Sequence, residues 1–148
     1  MTTPDPDSIR LALDKAWQDH HHTRDQTWKS LQIEAALVAG LIGIDWQLGN
    51  VQATVAAGLL VIIAAFFGMR ITIQHRNKVE CKKFEFITKF EEALGIDSIV
   101  GGKTQVPEPI RLYDAFNYNK NNTALFILRM HIAIFIFSAV YLLVRIFQ

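Results

Sequence analysis

The chain has 148 residues, 15 Lys+Arg against 14 Asp+Glu, and one cysteine. Those numbers exclude a disulfide scaffold and argue against nucleic-acid binding by bulk electrostatics. Apolar residues make up 51% and charged residues 20%, and the charge is segregated as in a membrane protein: no Lys or Arg stands between Ile33 and Met69, and only Arg129 and Arg145 carry full charge from Ala124 to Phe147.

Met1–Pro6 reads as a loose tail, with Asp7 or Ser8 able to cap a helix. From there to Ala39 no Gly or Pro occurs, so one continuous helix should run into the membrane. At about 100° per residue, Ile9, Leu13, Ala16, Trp17, Trp28 and Leu31 share a stripe with His20, Arg24 and Thr27. A charge on such a stripe is tolerated when paired, so Arg24 is expected to bond an acid on the stalk (Glu80, Glu85 or Glu91) or on a neighbouring subunit. Three consecutive histidines, His20 to His22, point in different directions on a helix and cannot share one ion.

The first span is short: Ile33–Ile44 is apolar apart from Glu34, and Leu31–Leu48 reaches 18 residues only by including Glu34, Asp45 and Trp46. Residues 45–50 read as the hairpin turn, with Trp46 in the aromatic belt and Gly49-Asn50 breaking the helix. Glu34 lies among Leu37, Leu41 and Ile44, opposite an arc of Ala35, Ala36, Ala39, Gly40 and Gly43. A carboxylate there needs a partner. Arg129 and Arg70 are the expected ones; a pore-mouth role is the alternative.

Val51–Met69 is an uncharged second span of 19 residues, with Ala53, Ala57, Ala64 and Gly68 within about 60° of one another. Small residues let helices approach closely in lipid, so the two small-residue arcs are expected to pack as the hairpin, with surplus surface for further copies of the chain. The second span should continue as a stalk to Gly95. Gly101-Gly102-Lys103-Thr104 lacks the earlier glycine and the strand of a phosphate loop, and Arg70 before His75 reads as an interface anchor.

Ile110, Leu112, Tyr113 and Phe116 indicate a short amphipathic helix at the membrane surface, followed by an asparagine-rich entry to a third span at Ala124–Phe147. That span has no Gly and is rich in Ile and Phe, so a peripheral, lipid-facing position is expected. Arg129 can snorkel toward its N-terminal side. His131 has no second histidine within the spans, which argues against haem.

The expected fold is an all-α membrane protein with three transmembrane helices, the first short, and long cytoplasmic helical extensions. Its segments are a cytoplasmic amphipathic helix (1–32), a transmembrane hairpin (33–69), a cytoplasmic stalk (70–95), a loop with a short interfacial helix (96–123) and the third transmembrane helix (124–148). Residues 70–123 carry nine Lys/Arg against none in 45–50. This puts the N-terminus inside and the C-terminus outside a bacterial inner membrane, with Cys81 reduced in the cytoplasm. Trp17, His20, Arg24, Trp28, Leu31, Ala53, Ala57, Ala64 and Gly68 are the expected helix-contact or oligomer residues. Glu34, Arg70 and Arg129 are the expected ion-pair or pore-mouth residues.

The order of a cytoplasmic amphipathic helix, a tight transmembrane hairpin and a helical extension over residues 8–95 resembles the SLATT effector families of bacterial anti-phage systems. His22-Thr23-Arg24 before the hairpin and Phe90-Glu91-Glu92-Ala93-Leu94-Gly95 after the stalk are the nearest to motifs. The third span departs from that two-span plan. The resemblance implies an oligomeric effector that perforates membranes when a partner senses infection. No enzyme activity, cofactor, metal or nucleic acid is expected. The expected partners are the lipid bilayer, further copies of the chain, and a cytoplasmic sensor protein or signalling ligand. The competing reading is a non-catalytic accessory or anchoring subunit of a larger inner-membrane complex.

Overall fold

The computed structural model describes residues 5–147, the side chains of residues 97 and 100 excepted. The tail expected over Met1–Pro6 lies, as far as residue 4, outside the described residues. All regular structure among the described residues is helical: α1 (Pro6–Leu48), α2 (Val51–Gln74), a π-helical turn (His75–Glu80), α3 (Cys81–Ala93), α4 (Ile96–Val100), a 3-10 turn (Leu112–Phe116) and α5 (Thr123–Phe147). Three helical stretches, beginning at Pro6, Val51 and Thr123, are long and apolar enough to cross a membrane.

α1 is the uninterrupted helix that the absence of Gly and Pro predicts. It starts at Pro6, two residues before the first helical position that an Asp7 cap would give, with the Ile9 N–H donating to the Asp5 carbonyl and the Ser8 hydroxyl to its carboxylate. The hairpin turn contracts to Gly49 and Asn50: Gly49 takes φ +56°, and the Asn50 side chain accepts from the N–H groups of Gln52 and Ala53, capping α2. Asp45 and Trp46, expected in the turn, belong to the last turns of α1.

The chain divides into two compact units. The first comprises residues 1–26 and 74–110. At its centre Trp17 and His20 meet Phe84 edge-on, with ring centroids 5.8 and 5.0 Å away. Lys83 bonds the Asp19 carboxylate at 2.5 Å and the Thr23 hydroxyl at 2.9 Å. The π turn was not expected. Its extra residue is visible where the Cys81 N–H reaches the carbonyl of Arg76, five residues back.

The π turn and α3 grip the extended segment 103–110. Asn77 makes a two-way amide clamp on Ile110, donating to its carbonyl at 2.8 Å and accepting its N–H at 2.7 Å. Arg76 donates to the Glu108 carbonyl, the Cys81 thiol to that of Pro107, and Thr88 to that of Thr104. Extended backbone containing Pro107 and Pro109 has few donors for a ladder, so side chains of the helix satisfy its carbonyls. Burial pushes the Cys81 thiol up from its ordinary value, an inert rather than a reactive environment.

The second unit comprises residues 27–73 and 111–148. It holds the apolar helices. In α2 the buried residues are Thr54, Gly58, Val61, Ala65, Gly68 and Thr72, at alternating spacings of four and three. In α5 they include Leu125, Leu128, His131, Ser138 and Leu142. In α1 Leu31, Glu34 and Leu41 are buried on one row. Heptad spacing of this kind is the pattern of left-handed helix packing. α5 is therefore not the peripheral helix its Ile/Phe-rich composition indicates; a row of leucines with His131 and Ser138 faces inward, while Phe126, Ile136, Phe137 and Val140 face outward. The 3-10 turn stands where the amphipathic segment was expected. Asp114 closes it by accepting from the Arg111 N–H, which lowers the Asp114 pKa from its ordinary value.

Candidate functional site

The polar interior of the second unit is the candidate site. Glu34 Oε2 lies 2.7 Å from His131 Nδ1, and the two side chains are 4% and 0% exposed. The partner expected for Glu34 was an arginine. Arg129 instead leans toward the N-terminal side of α5, as its snorkelling geometry predicts, and donates to the carbonyls of Ala115, Asn117 and Lys120. Backbone oxygens left open by the irregular segment before α5 satisfy this guanidinium, so it is unavailable to Glu34. Arg70 is exposed.

Gly68 completes the pair's setting from α2. A Cβ there would lie within 3 Å of the Glu34 carboxylate and of the His131 ring. Gly58 plays the same part toward Leu142 two to three turns away. Within this interior the Nε2 of His131, the hydroxyl of Ser138 and the hydroxyl of Thr72 are buried without a hydrogen-bond partner.

A second polar cluster closes the other end of the same helices. Asp45 accepts from the Thr54 hydroxyl at 2.8 Å, the Tyr141 hydroxyl at 2.6 Å and Arg145 Nε at 2.8 Å. Arg145 also donates to the Gly49 carbonyl at 3.3 Å. One carboxylate thus links the ends of α1, α2 and α5. Three donors from two helices converge on this carboxylate, which suits a structural lock.

The remaining expected site residues divide clearly. Trp17 and His20 are in the aromatic centre of the first unit, with His20 pushed below its ordinary pKa by burial. Trp28 is 6.0 Å from Phe126, and Leu31 is buried. Arg24 is exposed and makes no ion pair among the described residues. It sits at the edge of the stripe, where a guanidinium remains in solvent without desolvation. The salt bridge linking α1 to α3 runs in the opposite sense from the expected one, with the base, Lys83, on the stalk and the acid, Asp19, on α1. Glu80 pairs with Arg76 within the π turn.

The small-residue arcs do not pack on each other as expected. On α2, Gly68 is buried while Ala53, Ala57 and Ala64 are half-buried. On α1, Ala35, Ala36, Ala39 and Gly40 are exposed, and nothing lies within 4 Å of a Cβ built on Gly40 or Gly43. The reason is Glu34: it shares the bulky face, and its carboxylate, costly against lipid, finds its partner His131 only when that face turns inward. In the first unit an open cleft of about 400 Å³ is lined by Arg10, Asp14, Trp17, Leu94, Ile96 and Ile99.

No protein-family model, curated protein or solved structure matches the chain.

Proposed function

We propose that the protein is a subunit of a homo-oligomeric membrane assembly that acts as a channel-forming or membrane-disrupting effector, switched through its polar helical unit and operating in anti-phage defence. The observation that carries this reading is the open small-residue face of α1. Ala35, Ala36, Ala39 and Gly40 stay exposed on a helix whose bulky face is already used within the chain. Such a face offers close backbone approach to another helix in lipid. The architectural resemblance of residues 8–95 to the SLATT effectors supports perforation as the outcome of assembly. The cleft beside Trp17 offers a place for a cytoplasmic ligand or for a side chain of a sensor protein. The Lys/Arg distribution supports a bacterial inner membrane with the N-terminus and residues 70–123 cytoplasmic and the C-terminus outside.

The reading is tested with Gly40→Cys in native membranes and the same variant in dye-loaded vesicles. Oxidation should give a disulfide-linked dimer, whereas a cysteine at Ile42, exposed about 160° round the helix from Gly40, should not. Vesicles carrying the assembled protein should leak. Cross-linking without leakage under any stimulus would favour the anchoring-subunit reading, and no cross-linking at Gly40 would contradict the assembly.

A further inference from the structure

We propose that Glu34 and His131 form a proton-binding site inside the membrane part of the protein, exchanging one proton through Nε2 of His131. The inference goes beyond the oligomer reading and does not depend on it, since the whole site lies within one chain.

The pair is buried at 2.7 Å, and no fixed charge on the helices around it compensates it. On α1 the neighbouring titratable residues are Lys29, which is exposed, and Asp45, which is committed to Thr54, Tyr141 and Arg145. On α2 the pair is faced by Gly68, and Arg70 is exposed. On α5 Arg129 is held by three carbonyls. In a low-dielectric interior the pair therefore has to be neutral by itself.

Neutrality fixes the protons. The pair is either carboxylate with imidazolium or carboxylic acid with imidazole. In the first form both ring nitrogens carry hydrogen. In the second the acid donates to Nδ1, so the ring hydrogen sits on Nε2. Both forms place an N–H at Nε2, and that atom is buried without an acceptor. A buried donor with no protein acceptor is the one hydrogen of the pair left open to water, so the neutral resting pair can exchange a proton only there, at the cost of a transient buried charge.

Nδ1 is occupied by Glu34, so Nε2 is the ring's remaining path for a proton. The hydroxyls of Thr72 and Ser138 are buried and equally without partners. They occupy inward positions of α2 and α5, one turn from Gly68 and two turns from His131 respectively. Each has a donor and acceptor capacity that the protein leaves unused, the requirement for relaying a proton by way of water. Release moves the Nε2 proton to water, leaving Glu34 ionised, His131 neutral and a pair of charge −1.

The test is side-chain nitrogen NMR on histidine-labelled full-length protein in lipid nanodiscs, with the His131 signals assigned by His131→Gln, together with infrared difference spectra of the same sample. Over a pH series spanning the range in which the protein stays folded, the His131 nitrogens should report the loss of one proton, from Nε2. Glu34→Gln should move that titration toward acid by at least about one pH unit, because the imidazolium loses its carboxylate. The wild-type infrared spectrum should show a carboxyl change at the same pH. A His131 signal that is constant across this range, or a titration unchanged by Glu34→Gln, overturns the proposal. If Glu34→Gln does not fold, the wild-type spectra decide alone: absence of any coincident carboxyl and imidazole change also overturns it.

Discussion

The His131 ring lies where a methyl group on Gly68 would stand. Its Nδ1 and Cε1 fall within 3 Å of a Cβ built on that glycine, as does a carboxylate oxygen of Glu34. One missing side chain on α2 thus makes room for an ionisable pair contributed by the other two membrane helices. Gly68→Ala should displace the pair and destabilise the membrane unit by about 1–3 kcal/mol, the usual cost of overpacking. Gly40→Ala meets nothing within 4 Å and should leave the stability of the single chain unchanged or raised. Thermal unfolding in one detergent compares the two.

Breaking the Glu34–His131 pair should cost more than removing it. Either Glu34→Leu or His131→Leu alone leaves a buried polar partner and should destabilise by about 3–5 kcal/mol, while the double change should recover a large part of the loss. The coupling in that double-mutant cycle measures the pair. Strictly additive losses would show that the two side chains do not interact in the folded protein.

The first unit should weaken on mild acidification. Burial holds both His20 and His75 below their ordinary pKa of 6.5. The unfolded chain therefore takes up protons first, and stability is lost as the pH falls from about 6.5 toward the depressed folded values. His20→Gln and His75→Gln should each flatten the melting temperature over that interval. Asp19, held below 3.8 by its hydrogen bond and ion pair with Lys83, adds a further loss only at lower pH, and Lys83→Met should abolish that acid limb.

The clamp of Asn77 on Ile110 should control the extended segment 103–110. Asn77→Ala leaves the Ile110 N–H and carbonyl without their side-chain partners, a loss of about 1–3 kcal/mol. Amide exchange at Ile110 and proteolysis between Lys103 and Ile110 should both accelerate, with the helical content unchanged.

The helices were legible in the sequence wherever a local signal sets them. The absence of Gly and Pro marks α1, Gly49-Asn50 marks the hairpin, and Gly95, at φ +67°, ends the stalk as expected. The π turn was not legible: Arg76, Asn77 and Cys81 bond a segment about thirty residues away, and no local pattern in residues 75–80 marks that contact. A helical wheel separates the bulky face of α1 from its small-residue face, but it does not say which face turns inward. That choice follows from the partner of Glu34, which stands 97 residues away on a helix read as peripheral. The unused signal was an acid and a histidine within apolar helices, Glu34 and His131, which in lipid are satisfied by pairing with one another. Arg24 misled for a related reason: on a wheel it lies close to His20, yet the side chain at the stripe's edge reaches water.

The central claim is that copies of the chain assemble through the open face of α1. Its most direct test is the protein mass of particles extracted with their surrounding lipid, for the wild type and for Gly40→Leu. One chain is 16.8 kDa. The account predicts wild-type particles of several chain masses and a shift to single chains on Gly40→Leu, with the fold retained. Wild-type particles containing one chain, or an assembly that Gly40→Leu leaves intact, would contradict it.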